Sequence, residues 1–153
     1  MRLGLDASRL AFLNVQDTTL LIDKAAQARV VDQLAAICRE AKVTRVFSAW
    51  IHDPHPDHVA SALVAQRLHE RCPEVAVASY AIWGRLLPDD TLLRDKAWRA
   101  LRLDIRDTLE PKRNALAAHR TQTTHLIDDA LLALPAPHGF DNIFLAESEI
   151  FLV

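Results

Sequence analysis

The chain has 153 residues, half of them hydrophobic and a quarter charged, the balance of an ordinary globular domain. A net charge of -2 leaves no electrostatic footprint for nucleic acid, and no apolar stretch approaches the roughly 20 residues that span a bilayer. Gly4, Gly84 and Gly139 are the only glycines, so neither a phosphate-binding loop nor a dinucleotide fingerprint can be assembled.

In chain order, the N-terminus places Asp6 and Arg9 between short apolar pieces and does not read as a secretory signal. Leu10 to Val15 (LAFLNV) is a short apolar run that predicts a buried strand. Lys24 to Lys42 is helical, with Val30, Leu34, Ile37 and Ala41 on one stripe and Val31, Ala35 and Cys38 beside it. Thr44 to Ile51 (TRVFSAWI) is rich in β-branched and aromatic residues and predicts a strand. Asp57 to Cys72 returns to the helical period, with Pro73 as its stop. Glu74 to Trp83 is the next strand, closed by Gly84. Pro88, Asp89 and Asp90 mark a turn, and Trp98 to Ile105 alternates as an antiparallel strand does. A helix is expected from Glu110 to about Thr124, with Pro111 in its first turn. Pro135, Pro137 and Gly139 form a loop, and Glu149 to Val153 a final edge strand. Strand, helix, strand, helix, strand argues for an α/β fold with a parallel sheet and flanking helices, in a single domain over residues 1–153. Cys38 and Cys72 fall in predicted helices and read as buried, reduced thiols, which fits a cytoplasmic setting.

One segment concentrates the chemistry: Trp50-Ile51-His52-Asp53-Pro54-His55-Pro56-Asp57-His58. It follows a predicted strand and opens a helix, the edge of a parallel sheet where ligands bind. Two prolines narrow the directions the side chains can take. Asp57 is placed to cap the helix or to fix the tautomer of an imidazole. His58, in the first turn, projects back toward the loop as a metal ligand must. On these residues alone the cluster reads as part of a metal or acid–base site, or as a cap and a turn. The loop by itself supplies too few ligands, because catalytic zinc takes three protein ligands plus water.

The string DPHPDHVA after a strand resembles the second motif of the PIG-L/LmbE family of zinc-dependent N-deacetylases, HPDH followed by small and apolar helix residues. RLGLDASRLAFLNVQD is similar to the family's strand segment before an aspartate, and VASYAIWG to the strand after the motif helix. KRNALAAHRTQ, from Lys112 to Gln122, resembles the K-x-x-A-x-x-x-H-x-S-Q segment with Thr121 for serine, and Glu149-Ile150-Phe151 the closing E-x-F. These matches run in the family's order from about Leu3 to Val153.

The resemblance implies a Rossmann-like sheet and hydrolysis of an N-acetyl group on an N-acetylglucosamine-type sugar or glycoconjugate. In it His58 corresponds to a zinc ligand, and His55 to the histidine that stabilises the oxyanion or protonates the leaving amine. Asp57 corresponds to the orienting partner of His55. Asp53 stands on the substrate side, where some members carry a tyrosine as oxyanion donor; an ionised aspartate there would repel the oxyanion. His119 and Gln122 match a family segment and are expected to tie a helix to its neighbour. Trp50, Trp83 and Trp98 are expected to pack in the core or at the rim. The family's opening A-H-P-D-D-E loop, which supplies a histidine, an acidic ligand and the general base, has no counterpart in the sequence. The expectation is therefore a partial domain without the N-terminal strand–helix unit, holding Zn2+ weakly or not at all. An open sheet edge could then favour a homo-oligomer. The alternative is a catalytically inactive remnant or interaction module.

Overall fold

The structure, a computed structural model, describes residues 4–88, 99–123 and 143–153. Its first long element is helix α1, Lys24–Glu40. Asp23 caps it by accepting the Ala26 amide at 2.8 Å, which satisfies one of the donors a helix start leaves open. The inward stripe is Val30, Val31, Ala35 and Cys38, set by the 3.6-residue period. The helix stops at Ala41, and Lys42 takes a left-handed φ of 52°. The Val43 amide then returns to the Cys38 carbonyl, a helix exit more often made with glycine.

Strand β1 is Arg45–Ala49, helix α2 is Pro56–Arg71 and strand β2 is Ala76–Tyr80. β1 and β2 pair in parallel, from Arg45 opposite Ala76 to Ala49 opposite Tyr80, with α2 as the crossover that a parallel pair requires. Ala35 and Cys38 of α1 meet Leu68 and Cys72 of α2 over Val75, with Leu34, Val43 and Val46 at the border. Cys38 and Cys72 are both buried and unbridged.

Later in the chain come β3 (Ala100–Asp104), α3 (Leu109–Leu116), the short α4 (Arg120–Thr123) and β4 (Ser148–Leu152). The sheet order is β1-β2-β4-β3, an α/β arrangement with helices flanking the sheet, as the sequence implies. β4 runs antiparallel to β2, with Ser79 opposite Leu152. Arg99 and Val153 exchange both backbone bonds, and Ile105 donates to Glu147, so β3 and β4 are antiparallel too. The described residues gather into two compact units, residues 12–101 with 150–153 and residues 1–11 with 102–149. Within the second, Lys112 pairs with Glu149. No helix among the described residues is long and apolar enough to cross a membrane.

Three expectations are corrected. Leu10 to Val15 forms no strand: Leu10 is 44% and Phe12 79% exposed, and Asn14 turns the backbone left-handed at φ 49°. An apolar run becomes a strand only beside another strand, and among the described residues none lies beside this one. The C-terminal strand is interior to the sheet, because β3 returns along its far side. The helix expected from Glu110 is broken over residues 117–119, where the His119 amide bonds back to the Leu116 carbonyl in a tighter turn. Asp89, Asp90, Trp98, Thr124 and the Pro135–Gly139 loop lie outside the described residues, as does the side chain of Gln122.

Candidate functional site

The site is built where β1 ends and α2 begins. Pro56 occupies the first turn of α2, where its missing amide costs no bond. His55 therefore becomes the cap, its Nδ1 accepting the Asp57 amide at 3.2 Å. An amide can only donate, so Nδ1 of His55 carries the lone pair and its Nε2 carries the proton. The His55 side chain is 41% exposed.

His58, one turn on, has the opposite polarity. Its Nδ1 lies 2.8 Å from Oδ1 of Asp53. The second oxygen of Asp53 accepts the Ile82 amide at 2.8 Å and the Gly84 amide at 3.0 Å. Burial raises the pKa of this carboxyl, but the Gly84 amide, the His58 imidazole and the Ile82 amide together outweigh burial and hold it below the usual carboxylate value. An ionised Asp53 only accepts, so Nδ1 of His58 must donate, and in the neutral ring Nε2 presents a lone pair. The rings are 4.8 Å apart between centroids. One loop thus offers a proton donor and a lone pair side by side.

Asp53, read from the sequence as a substrate-side residue, is 2% exposed and lies behind His58 with both oxygens engaged. Gly84 makes this possible, since a Cβ there would stand 2.9 Å from Cε3 of Trp50. Trp50 is buried and its indole Nε1 has no hydrogen-bond partner among the described residues; its ring meets His52 edge-on at 5.2 Å. Trp83 is half-buried. Asp57, read as the partner of His55, has a carboxylate 4.0 Å from His55 Nδ1, and its closer bonds are elsewhere. Both of its oxygens accept the Thr18 amide, at 3.0 and 3.2 Å.

Asp17 is the residue the motif does not announce. Its carboxyl and that of Asp57 act on each other, which raises the pKa of Asp17 and lowers that of Asp57. The available signal was the aspartate that closes RLGLDASRLAFLNVQD, two residues after an apolar run and 40 residues from its partner in sequence. Asp57 and His58 also border a cavity of about 470 Å³ whose other walls include Leu13, Leu20, Val64, Leu68 and Tyr80.

As a metal centre the set is incomplete. His58 has a free Nε2 and the carboxylate behind it that a ligating imidazole needs. Yet among the described residues no three His, Cys, Asp or Glu side chains come together as a cage, so they do not amount to a catalytic zinc site.

No protein-family model matches the chain, and no curated protein does. A solved structure does match: the deacetylase-bog complex in the biosynthesis pathway of teicoplanin, with a TM-score of 0.56 at 18% identity. The match covers 82% of this chain and 51% of that one, so the chain spans about half the length of this neighbour. The shared property is the fold.

Proposed function

We propose that this chain carries the imidazole half of an N-deacetylase of the PIG-L/LmbE kind, hydrolysing the N-acetyl group of an N-acetylglucosamine-type sugar or glycoconjugate. The observation that carries the reading is the opposed polarity of His55 and His58. Amide hydrolysis needs a hydrogen-bond donor for the carbonyl oxygen as it becomes an oxyanion, and a proton for the departing amine. His55 Nε2–H, on a half-exposed side chain and fixed in tautomer by the Asp57 amide, is built to supply the first of these. His58 is built to supply an electron pair, and Asp53 is its positioning residue. The deacetylase fold of the neighbour supports the same reading.

Zinc belongs to this proposal, with His58 Nε2 as the ligand that the described residues offer, and the chain alone is expected to hold it more weakly than submicromolar. Equilibrium dialysis at neutral pH measures this. Near-stoichiometric zinc at submicromolar affinity would mean a ligand set that the described residues do not contain.

The decisive experiment is acetate release from N-acetylglucosamine conjugates with zinc in excess. Turnover should fall about 10²- to 10³-fold in His55→Ala, the usual cost of losing one such donor or acid. His58→Ala should abolish what zinc binding there is. Absence of acetate across the conjugates overturns the catalytic reading. It leaves the second one, an interaction module, which the incomplete ligand set and the exposed Phe12 and Phe47 favour.

A further inference from the structure

We infer that Gln27, remote from both histidines in sequence, is a positioning residue that holds the turn over residues 17–22 on Asp57. Gln27 sits in the second turn of α1 and is 0% exposed. A buried amide is costly unless its bonding capacity is filled, and here it is filled by the turn. Nε2 donates to the Leu20 carbonyl at 2.6 Å and to the Leu21 carbonyl at 3.1 Å, while Oε1 accepts from Arg67 of α2. A leucine at this place would pack α1 just as well and leave both carbonyls unbound.

The turn needs such a hold. Thr18 adopts φ 63°, a left-handed conformation that a β-branched residue enters only under constraint. That conformation directs the Thr18 amide at both oxygens of Asp57, and it brings Asp17 against the same carboxylate. Asp57 in turn donates its own amide to Nδ1 of His55, the cap of α2. The contacts therefore run from Arg67 through Gln27 and the turn to Asp57 and His55. The structural claim stands on these bonds alone; its meaning for turnover rests on the role of His55 proposed above.

The test separates the two. In Gln27→Glu the carboxylate keeps Arg67 but cannot donate to Leu20 and Leu21. Thr18 amide exchange should accelerate at least about tenfold while the α1 and α2 amides keep their protection. The His55 Nδ1 nitrogen signal should also shift away from the single-tautomer position. Gln27→Met, of the same length and without donors, should do the same and serves if the glutamate variant does not fold. Arg67→Met, which spares both donors, should leave Thr18 protected. Wild-type Thr18 exchange in Gln27→Glu or Gln27→Met overturns the proposal, as does uniform loss of protection across α1. If Thr18 and His55 respond as stated in a chain that releases no acetate, the positioning role stands and only the deacetylase reading falls.

Discussion

The loop over residues 52–58 and the segment over residues 10–22 meet at one carboxylate, yet they are held in different ways. The first is fixed from beneath, by a buried aspartate with four donors on it and by the start of a helix. The second carries apolar side chains into solvent, Phe12 and Ile22 both at 79% exposure, and is tied down chiefly at Gln27. The helix start shapes the first locally, and the Ile82 and Gly84 amides lock it through Asp53. Only distant partners shape the second.

That difference decides what was legible. α1, β1, α2 and β2 follow from hydrophobic periods and from Pro56 and Pro73, all signals contained within a few residues. The position of His55 and His58 at a helix start was legible because Pro54 and Pro56 flank His55 and Pro56 opens the helix. The place of Asp53 was not, since two of its three amide donors are 29 and 31 residues away. Asp17 and Gln27 escaped for the same reason. Leu10 to Val15 misled because a strand is a property of a pair, and an apolar period cannot say whether the neighbour is there.

The sharpest test of the contrast is Asp53→Ala. It leaves the Ile82 and Gly84 amides and the His58 N–H without an acceptor in a buried place, which should cost about 3–5 kcal/mol. Denaturant unfolding measures it, and a loss under 1 kcal/mol would show that the loop is not held from beneath. The same carboxylate sets a pH dependence. Its folded pKa lies below the ordinary 3.8, so its contribution is complete above about pH 4 and is lost as pH falls through the lowered value. Wild type should therefore lose its advantage over Asp53→Asn only below about pH 4; an advantage that fades between pH 7 and 5 would contradict this assignment.

Gly84→Ala should have a smaller effect of a different kind. The new methyl meets the Trp50 ring at 2.9 Å, and overpacking of this sort costs about 1–3 kcal/mol. Because the Gly84 amide also donates to Asp53, displacement here should move the His58 ring nitrogens in an NMR spectrum as well as lower the melting temperature. A variant as stable as wild type, with unmoved His58 signals, would mean that Trp50 can yield without disturbing the carboxylate.

At the other end of the scale stands Phe12→Ser. A phenylalanine buried in a core contributes several kcal/mol, and truncating it costs about 3–5. Phe12 keeps 79% of its surface in water, so little of that contribution is realised on folding. Surface substitutions of this kind stay within about 0.5 kcal/mol. The backbone gives the same answer, since no strand hydrogen bonds depend on this residue and the turn that follows is anchored at Leu20 and Leu21. The substitution should therefore leave the unfolding midpoint where it was, while lowering self-association at high concentration by removing an exposed apolar ring. Unfolding curves and sedimentation at two concentrations read the two effects separately. A loss above 1 kcal/mol at low concentration would show that residues 10–15 are packed against the molecule in solution, and that the two segments are held more alike than their exposures indicate.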